Sequence, residues 1–203
     1  MKSCKKLFFS FLPAILFLLS AKPSAPQIDL DRTKERAALC LKYCRQKGYN
    51  TRYCILIDMG LPSGVKRFMV WDFRRQDTLV SGLVSHGCGG DPWSGVWSKD
   101  KPTFSNAENS HCTAIGKYEI TQRAYSAWGV HVKYILNGLD NTDSNALARQ
   151  IVFHSWEEVP ETVVYPNGTP EGWGCPAISN NTMKIVDPLI RKQTRHMVLW
   201  IYD

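Results

Sequence analysis

The stretch "YCILIDMGLPSGVKRFMVWDF", Tyr53 to Phe73, decides the fold class. Its two ends, "YCILID" (53–58) and "RFMVWDF" (67–73), are runs of β-branched, aromatic and other apolar residues. Between them "MGLPSGVK" supplies the glycines and proline of a turn. Runs of that kind suit a pleated, buried surface, and two joined through a turn predict a hairpin. Similar runs recur along the chain as "TLVSGLV" (78–84), "GKYEI" (116–120), "HVKYIL" (131–136), "RQIVFH" (149–154) and "HMVLWIY" (196–202).

Helical signals flank these strands. "DRTKERAALCLKYCRQK" (31–47) carries Ala37, Cys40, Leu41 and Cys44 on one stripe and meets a stop signal at Gly48. "NNTMKIVDPLIRK" (180–192) has the stripe Met183, Val186 and Ile190, with Ser179 or Asn180 placed to cap it. Pro92 to Cys112 is polar and rich in Gly, Ser and Asn, which predicts a long surface loop, and "SWEEVPETVVYPNGTPEGWG" (155–174) predicts a second. Neither a repeat nor a linker divides the chain. The 203 residues predict one domain, mainly β with flanking helices.

The N-terminus reads differently. Lys2, Lys5 and Lys6 precede the apolar stretch Leu7 to Leu19, the pattern of a secretory signal peptide. Interrupted by Pro13, that stretch is shorter than the roughly 20 residues a bilayer span needs. Residues 1–21 are therefore assigned to the signal, with cleavage between 21 and 25, and no stable membrane span is expected afterwards. Three of the formal +7 charges lie in the signal. The remaining Lys and Arg are scattered, which argues against a nucleic-acid groove.

Export places Cys40, Cys44, Cys54, Cys88, Cys112 and Cys175 in an oxidising compartment, where three disulfides, or two with free thiols, are open possibilities. Cys88 with Cys112 is the pairing expected, and Cys40 or Cys44 is expected to meet Cys54 across the core. Zinc at Cys88, Cys112, His86 and His111 is disfavoured because the short paired knuckles of structural zinc modules are missing. The glycine-rich "SHGCGGDP" lacks the helix with Lys-Ser/Thr of a phosphate loop and reads as a turn. "NGT" at Asn167 and "NNT" at Asn180 match glycosylation acceptors. No metal and no cofactor is called for.

One cysteine stands apart. In "GWGCPAIS" (172–179), Cys175 sits between Gly174 and Pro176, and His154 ends the apolar run before it. A thiolate near neutral pH needs a base or a cation, and a histidine at a strand end can supply it if the loop folds back. Gly174 leaves the backbone free to approach a substrate, nearby amides can form an oxyanion hole, and the following helix adds a weak positive dipole. Spacing alone favours a core histidine beside an unrelated buried cysteine.

A wider pattern changes that balance. His154 is followed by Ser155 to Glu171 and then "GWGC", while "SHGCGG", "FSNAENSHCTAIGKYEI" and "GLDNTDSNALARQIVFHS" lie upstream in that order. Together these blocks, over Tyr49 to Asp203, resemble the L,D-transpeptidase catalytic domain family (the YkuD-like murein transpeptidases), in particular its divergent branch. The wider family motif is a histidine, a spacer and Ser/Thr-His-Gly-Cys. Here Trp173 replaces the histidine and Gly172 the Ser/Thr, and the arginine common after the cysteine is missing.

The resemblance implies a mixed β-sandwich of the L,D-transpeptidase type over residues 49–203, with a helix at 28–48 packed on it. It implies Cys175 as nucleophile, His154 as base, the carbonyl of Ser155 as orienter, and Gly174 beside the nucleophile. Trp173 and either His86 or Arg149 are the candidate substrate-binding residues. Glu157 and Glu158 have no assigned part. The implied substrate is a peptidoglycan stem peptide, cut through a thioester and resolved by a neighbouring amine into a 3→3 cross-link, or by water. Carboxypeptidase, amidase and non-catalytic binding domain remain alternatives. A monomer in the periplasm or cell envelope is the expected setting.

Overall fold

The computed structural model describes residues 24–90 and 102–203. The signal-peptide reading and residues 92–101 of the polar stretch lie outside the described residues. The first helix, α1 (Leu30–Lys47), begins where Asp29 accepts the amides of Asp31 and Arg32 at 3.0 and 3.1 Å. It ends at Gly48, whose φ of +81° suits the left-handed stop. Eight strands follow among the described residues: β1 (Tyr53–Asp58), β2 (Phe68–Asp72), β3 (Asp77–Gly82), β4 (Gly116–Tyr125), β5 (Val132–Gly138), β6 (Val152–Ser155), β7 (Ala177–Ile178) and β8 (Val198–Tyr202). Helix α2 (Asn180–Arg191) joins β7 to β8 and is capped by Ser179, whose side chain accepts the Thr182 amide.

All eight strands share one sheet in the order β3-β2-β1-β8-β4-β5-β6-β7. The β1–β8 and β6–β7 pairs are parallel, and the others are antiparallel. Laid flat, β2 and β6 would lie five strand spacings apart, about 24 Å. Yet the rings of Phe68 on β2 and Phe153 on β6 stack with centroids 5.8 Å apart. The sheet therefore curls until its two halves face each other. An antiparallel bridge between Val84 and Ile178 and a 2.9 Å bond from the Ser85 amide to the Ala177 carbonyl join the region beyond β3 back to β7. This curl gives the mainly β mixed sheet its sandwich-like character.

The strand alternation explains the two main cores. Ile55, Ile57, Phe68, Val70, Tyr118, Tyr134, Phe153 and Leu199 line the inner face, which Met183, Val186 and Ile190 of α2 cover. Cys54, Leu56, Met69, Trp71, Val198 and Tyr202 occupy the other face and bury the Ala37, Cys40 and Cys44 stripe of α1. Each buried aliphatic or aromatic side chain contributes about 1.5–3 kcal/mol relative to exposure, so both faces help hold the curl. Polar ties reinforce the seams. Asp187 of α2 takes Arg123 Nε at 2.7 Å and the Tyr134 hydroxyl at 2.6 Å, holding the helix to β4 and β5.

The described cysteines are thiols in this structure. The expected Cys88–Cys112 bond is not formed: Cys88 Sγ points to the Gly89 carbonyl and Cys112 Sγ to that of Ser110, 3.4 Å away. Cys40 meets Cys54 across the α1–β1 interface, as its spacing suggested, but hydrogen-bonds Cys44 as well.

Candidate active site

Register places the candidate nucleophile. In the parallel ladder His154 of β6 pairs with Ala177 of β7. Cys175 lies two residues before Ala177, on the same face by strand periodicity, and so falls beside Val152. Its Sγ accordingly receives the Val152 amide at 3.4 Å. In the antiparallel ladder on the other side, Lys133 of β5 pairs with His154. Tyr134 and Phe153 point into the core, so Lys133, Val152, His154, Cys175 and Ala177 share the opposite face. That face floors a cavity of about 380 Å³, walled by Trp128, Trp156 and Trp173 with Ser85 and Ser126 at its sides.

His154 is held in one orientation. Nδ1 lies 2.9 Å from the carbonyl of Ser155. A carbonyl only accepts, so Nδ1 carries the proton and Nε2 keeps its lone pair. Ser155 is buried, and its hydroxyl accepts the Val130 amide at 3.0 Å. Burial lowers the pKa of His154 from its ordinary value, a shift the Ser155 hydrogen bond partly opposes and the Lys133 charge reinforces. Cys175 moves the other way. Burial raises the thiol, against the Val152 amide and the charges of Arg149 and Lys133. At neutral pH the pair is a thiol and a neutral imidazole.

Gly174 has φ +98°. A Cβ there would collide with the Cys112 carbonyl and lie 3.2 Å from Arg149 Nη2. The glycine thus serves a close approach between two loops. Trp173 is 58% exposed and stacks on His111 with centroids 4.7 Å apart. It forms an open aromatic wall beside Cys175.

The two candidates for substrate charge point elsewhere. His86 is buried, with Nδ1 2.8 Å from Arg67 Nη2 and Nε2 3.0 Å from Glu171 Oε1. Burial, then the Arg67 charge, depress its pKa to about 3, so it is neutral and offers no cation. Arg149 donates to the carbonyls of Ser105 at 2.9 Å and Cys112 at 2.6 Å, which commits its guanidinium to the loop. The helix dipole is also engaged. Glu161 takes the Ser179 hydroxyl and the Asn181 amide at the start of α2. Sequence reasoning passed over Lys133 and Trp128, which strand register and loop return bring to His154, and Trp156, two residues along the chain from it.

The model of the L,D-transpeptidase catalytic domain matches residues 25–202. The chain belongs to that family. Among solved structures of similar shape is the helical cell shape determining protein Pgp2 from Campylobacter jejuni, 11% identical with a TM-score of 0.46, covering 74% of this chain and 47% of that one. An L,D-transpeptidase from Xylanimonas cellulosilytica is 11% identical with a TM-score of 0.40, covering 79% of this chain and 68% of that one. The chain thus spans less than half the length of Pgp2. A search of curated proteins gives no match. Family membership accords with a mostly β L,D-transpeptidase domain. Among the described residues, no helix is long and apolar enough to cross a membrane.

Proposed function

We propose that this L,D-transpeptidase family member is an exported cysteine acyltransferase acting on peptidoglycan stem peptides through Cys175. The observation that carries the reading is the shared cavity face of Cys175 and His154, with Nε2 of His154 left free by the bond from Nδ1 to Ser155. Because the resting pair is neutral, His154 Nε2 takes the thiol proton as sulfur attacks the carbonyl of the stem's third residue. Amides near Cys175 stabilise the oxyanion. The C–N bond to the terminal D-alanine then breaks, and the imidazolium returns its proton to the leaving amine. A thioester remains on Cys175.

An amine from a neighbouring stem attacks the thioester, giving its proton to His154, and the 3→3 amide forms as the thiol is regenerated. Envelope location follows from the substrate and from the signal-like N-terminus. The deciding experiment incubates the purified domain with tetrapeptide muropeptides and reads the products by mass. Cross-linked dimer supports the proposal. Trimmed tripeptide alone would make the protein a carboxypeptidase, and unchanged substrate would favour a binding domain.

A further inference from the structure

Lys133 places an ammonium on the cavity face. It lines the cavity with His154 and Cys175 and is half-buried. Its charge acts on both neighbours, lowering the pKa of each. No ion pair or hydrogen bond holds it among the described residues, whereas Lys117 is paired with Asp140 at 2.8 Å and Arg123 with Asp187 at 2.7 Å. Glu157, the acidic group whose charge acts on His154, is turned to the Gly129 amide at 2.9 Å. The remaining walls are mostly tryptophan and aliphatic. An ammonium drawn partly out of water without a partner is unfavourable, and an anion entering this cavity relieves it.

We propose that Lys133 is the specificity-determining residue that receives a substrate carboxylate next to the bond Cys175 attacks. The proposal rests on the acyl-transfer reading for its substrate but not for its chemistry. An ammonium is a point charge on a flexible stem, so it selects for negative charge within reach rather than for a planar, two-point geometry. In a stem tetrapeptide two carboxylates lie close enough: that of the leaving D-alanine and, where the third residue is a diamino diacid, that of its side chain.

Two alkylating agents test Lys133 without any peptide. The same thiolate attacks iodoacetate and iodoacetamide, displacing iodide, and the two reagents differ in charge. A lysine that only tuned the thiol would change both rates together, whereas a carboxylate receptor changes their ratio. Adducts are mapped to Cys175 by mass spectrometry. Lys133→Met is expected to lower the iodoacetate-to-iodoacetamide ratio about tenfold, the scale of one charge-assisted hydrogen bond. Lys133→Arg should keep most of it, and Lys184→Met on the exposed face of α2 should leave it unchanged. An unchanged ratio in Lys133→Met, or an equal drop in Lys184→Met, would overturn the proposal.

Peptide arms then identify the source. A tetrapeptide ending in an amide, and one with lysine at the third position, each remove one carboxylate. Whichever is insensitive to Lys133→Met names the carboxylate that Lys133 meets. Equal sensitivity of both to Lys133→Met would overturn the assignment. Should the wild type leave every muropeptide intact, the acyl-transfer reading fails, while the alkylation ratio still decides Lys133.

Discussion

Nη2 of Arg67 lies 2.8 Å from Nδ1 of His86, and both residues are buried. A guanidinium only donates, so Nδ1 accepts, and Nε2 must carry the proton that reaches Glu171 Oε1. Glu171 adjoins Gly172, whose amide donates to the His86 carbonyl and whose carbonyl accepts the Cys88 amide, each at 2.8 Å. The arrangement runs from the core to the base of the loop bearing Cys175. His86 thus ties the core to the base of that loop.

Because its folded pKa is depressed to about 3, His86 should stay neutral across pH 5–8. Nuclear magnetic resonance of its ring should show no titration in that interval. The unfolded chain binds this proton first, so the contribution is present above about 6.5 and is lost as pH falls towards 3. His86→Ala should weaken this acid sensitivity while costing about 1–3 kcal/mol in denaturant unfolding, since Arg67 loses an acceptor. A ring that titrates near pH 6.5 would contradict the buried geometry.

Substituting the proposed catalytic pair separates chemistry from folding. Cys175→Ala should abolish turnover while leaving the denaturation midpoint nearly unchanged. His154→Ala should lower kcat/KM by about 10²–10⁴, the usual contribution of a positioned base. Near-normal turnover in a folded Cys175→Ala protein would remove Cys175 from the reaction.

The same pair sets a pH profile. Burial lowers His154 and raises Cys175. The base is active when neutral, so the acid limb of kcat/KM should fall below the ordinary histidine value of about 6.5. Above it the profile should stay level through neutrality. An acid limb centred above pH 7 would show that His154 is held protonated instead.

The strands and both helices were legible because their side chains repeat with the period of the element. Ala37, Cys40 and Cys44 mark the buried stripe of α1, and Met183, Val186 and Ile190 that of α2. β7 was not, since Ala177 and Ile178 are too short a run to show alternation. Within the candidate site, His154 and Cys175 were singled out through motif order. Lys133 was hidden in "HVKYIL", where it reads as the exposed half of an alternating strand until β6 is paired beside it. His86 is the opposite case. A histidine in a glycine-rich turn suggests access, but Arg67 and Glu171, distant in sequence, enclose it.

Asp143 offers a stability test remote from the catalytic pair. Its Oδ1 accepts the Asp140 amide at 2.8 Å, and its buried Oδ2 has no partner. Burial pushes its pKa up to about 7. The folded state therefore holds a proton that the unfolded state releases near pH 4, and this stabilisation disappears as pH rises through about 7. Asp143→Asn keeps the acceptor and removes the charge. Its urea midpoint relative to wild type should rise between pH 4 and pH 8, and a pH-independent difference would contradict the shift.

Gly174 tests whether loop contact, rather than side-chain chemistry, sets the nucleophile's position. Its φ of +98° is one that side chains rarely adopt, and an added Cβ meets the Cys112 carbonyl, a backbone atom that cannot swing aside. Arg149 bridges that carbonyl to Ser105, so the strain spreads into the neighbouring loop. Gly174→Ala should cost about 1–3 kcal/mol of stability, the range for a strained backbone position. It should also lower kcat/KM more than KM alone explains, because Cys175 shifts relative to His154. Gly172, whose Cβ would meet nothing within 4 Å, supplies the control. Gly172→Ala should be nearly silent in stability, and equal damage at both positions would refute the close-approach explanation.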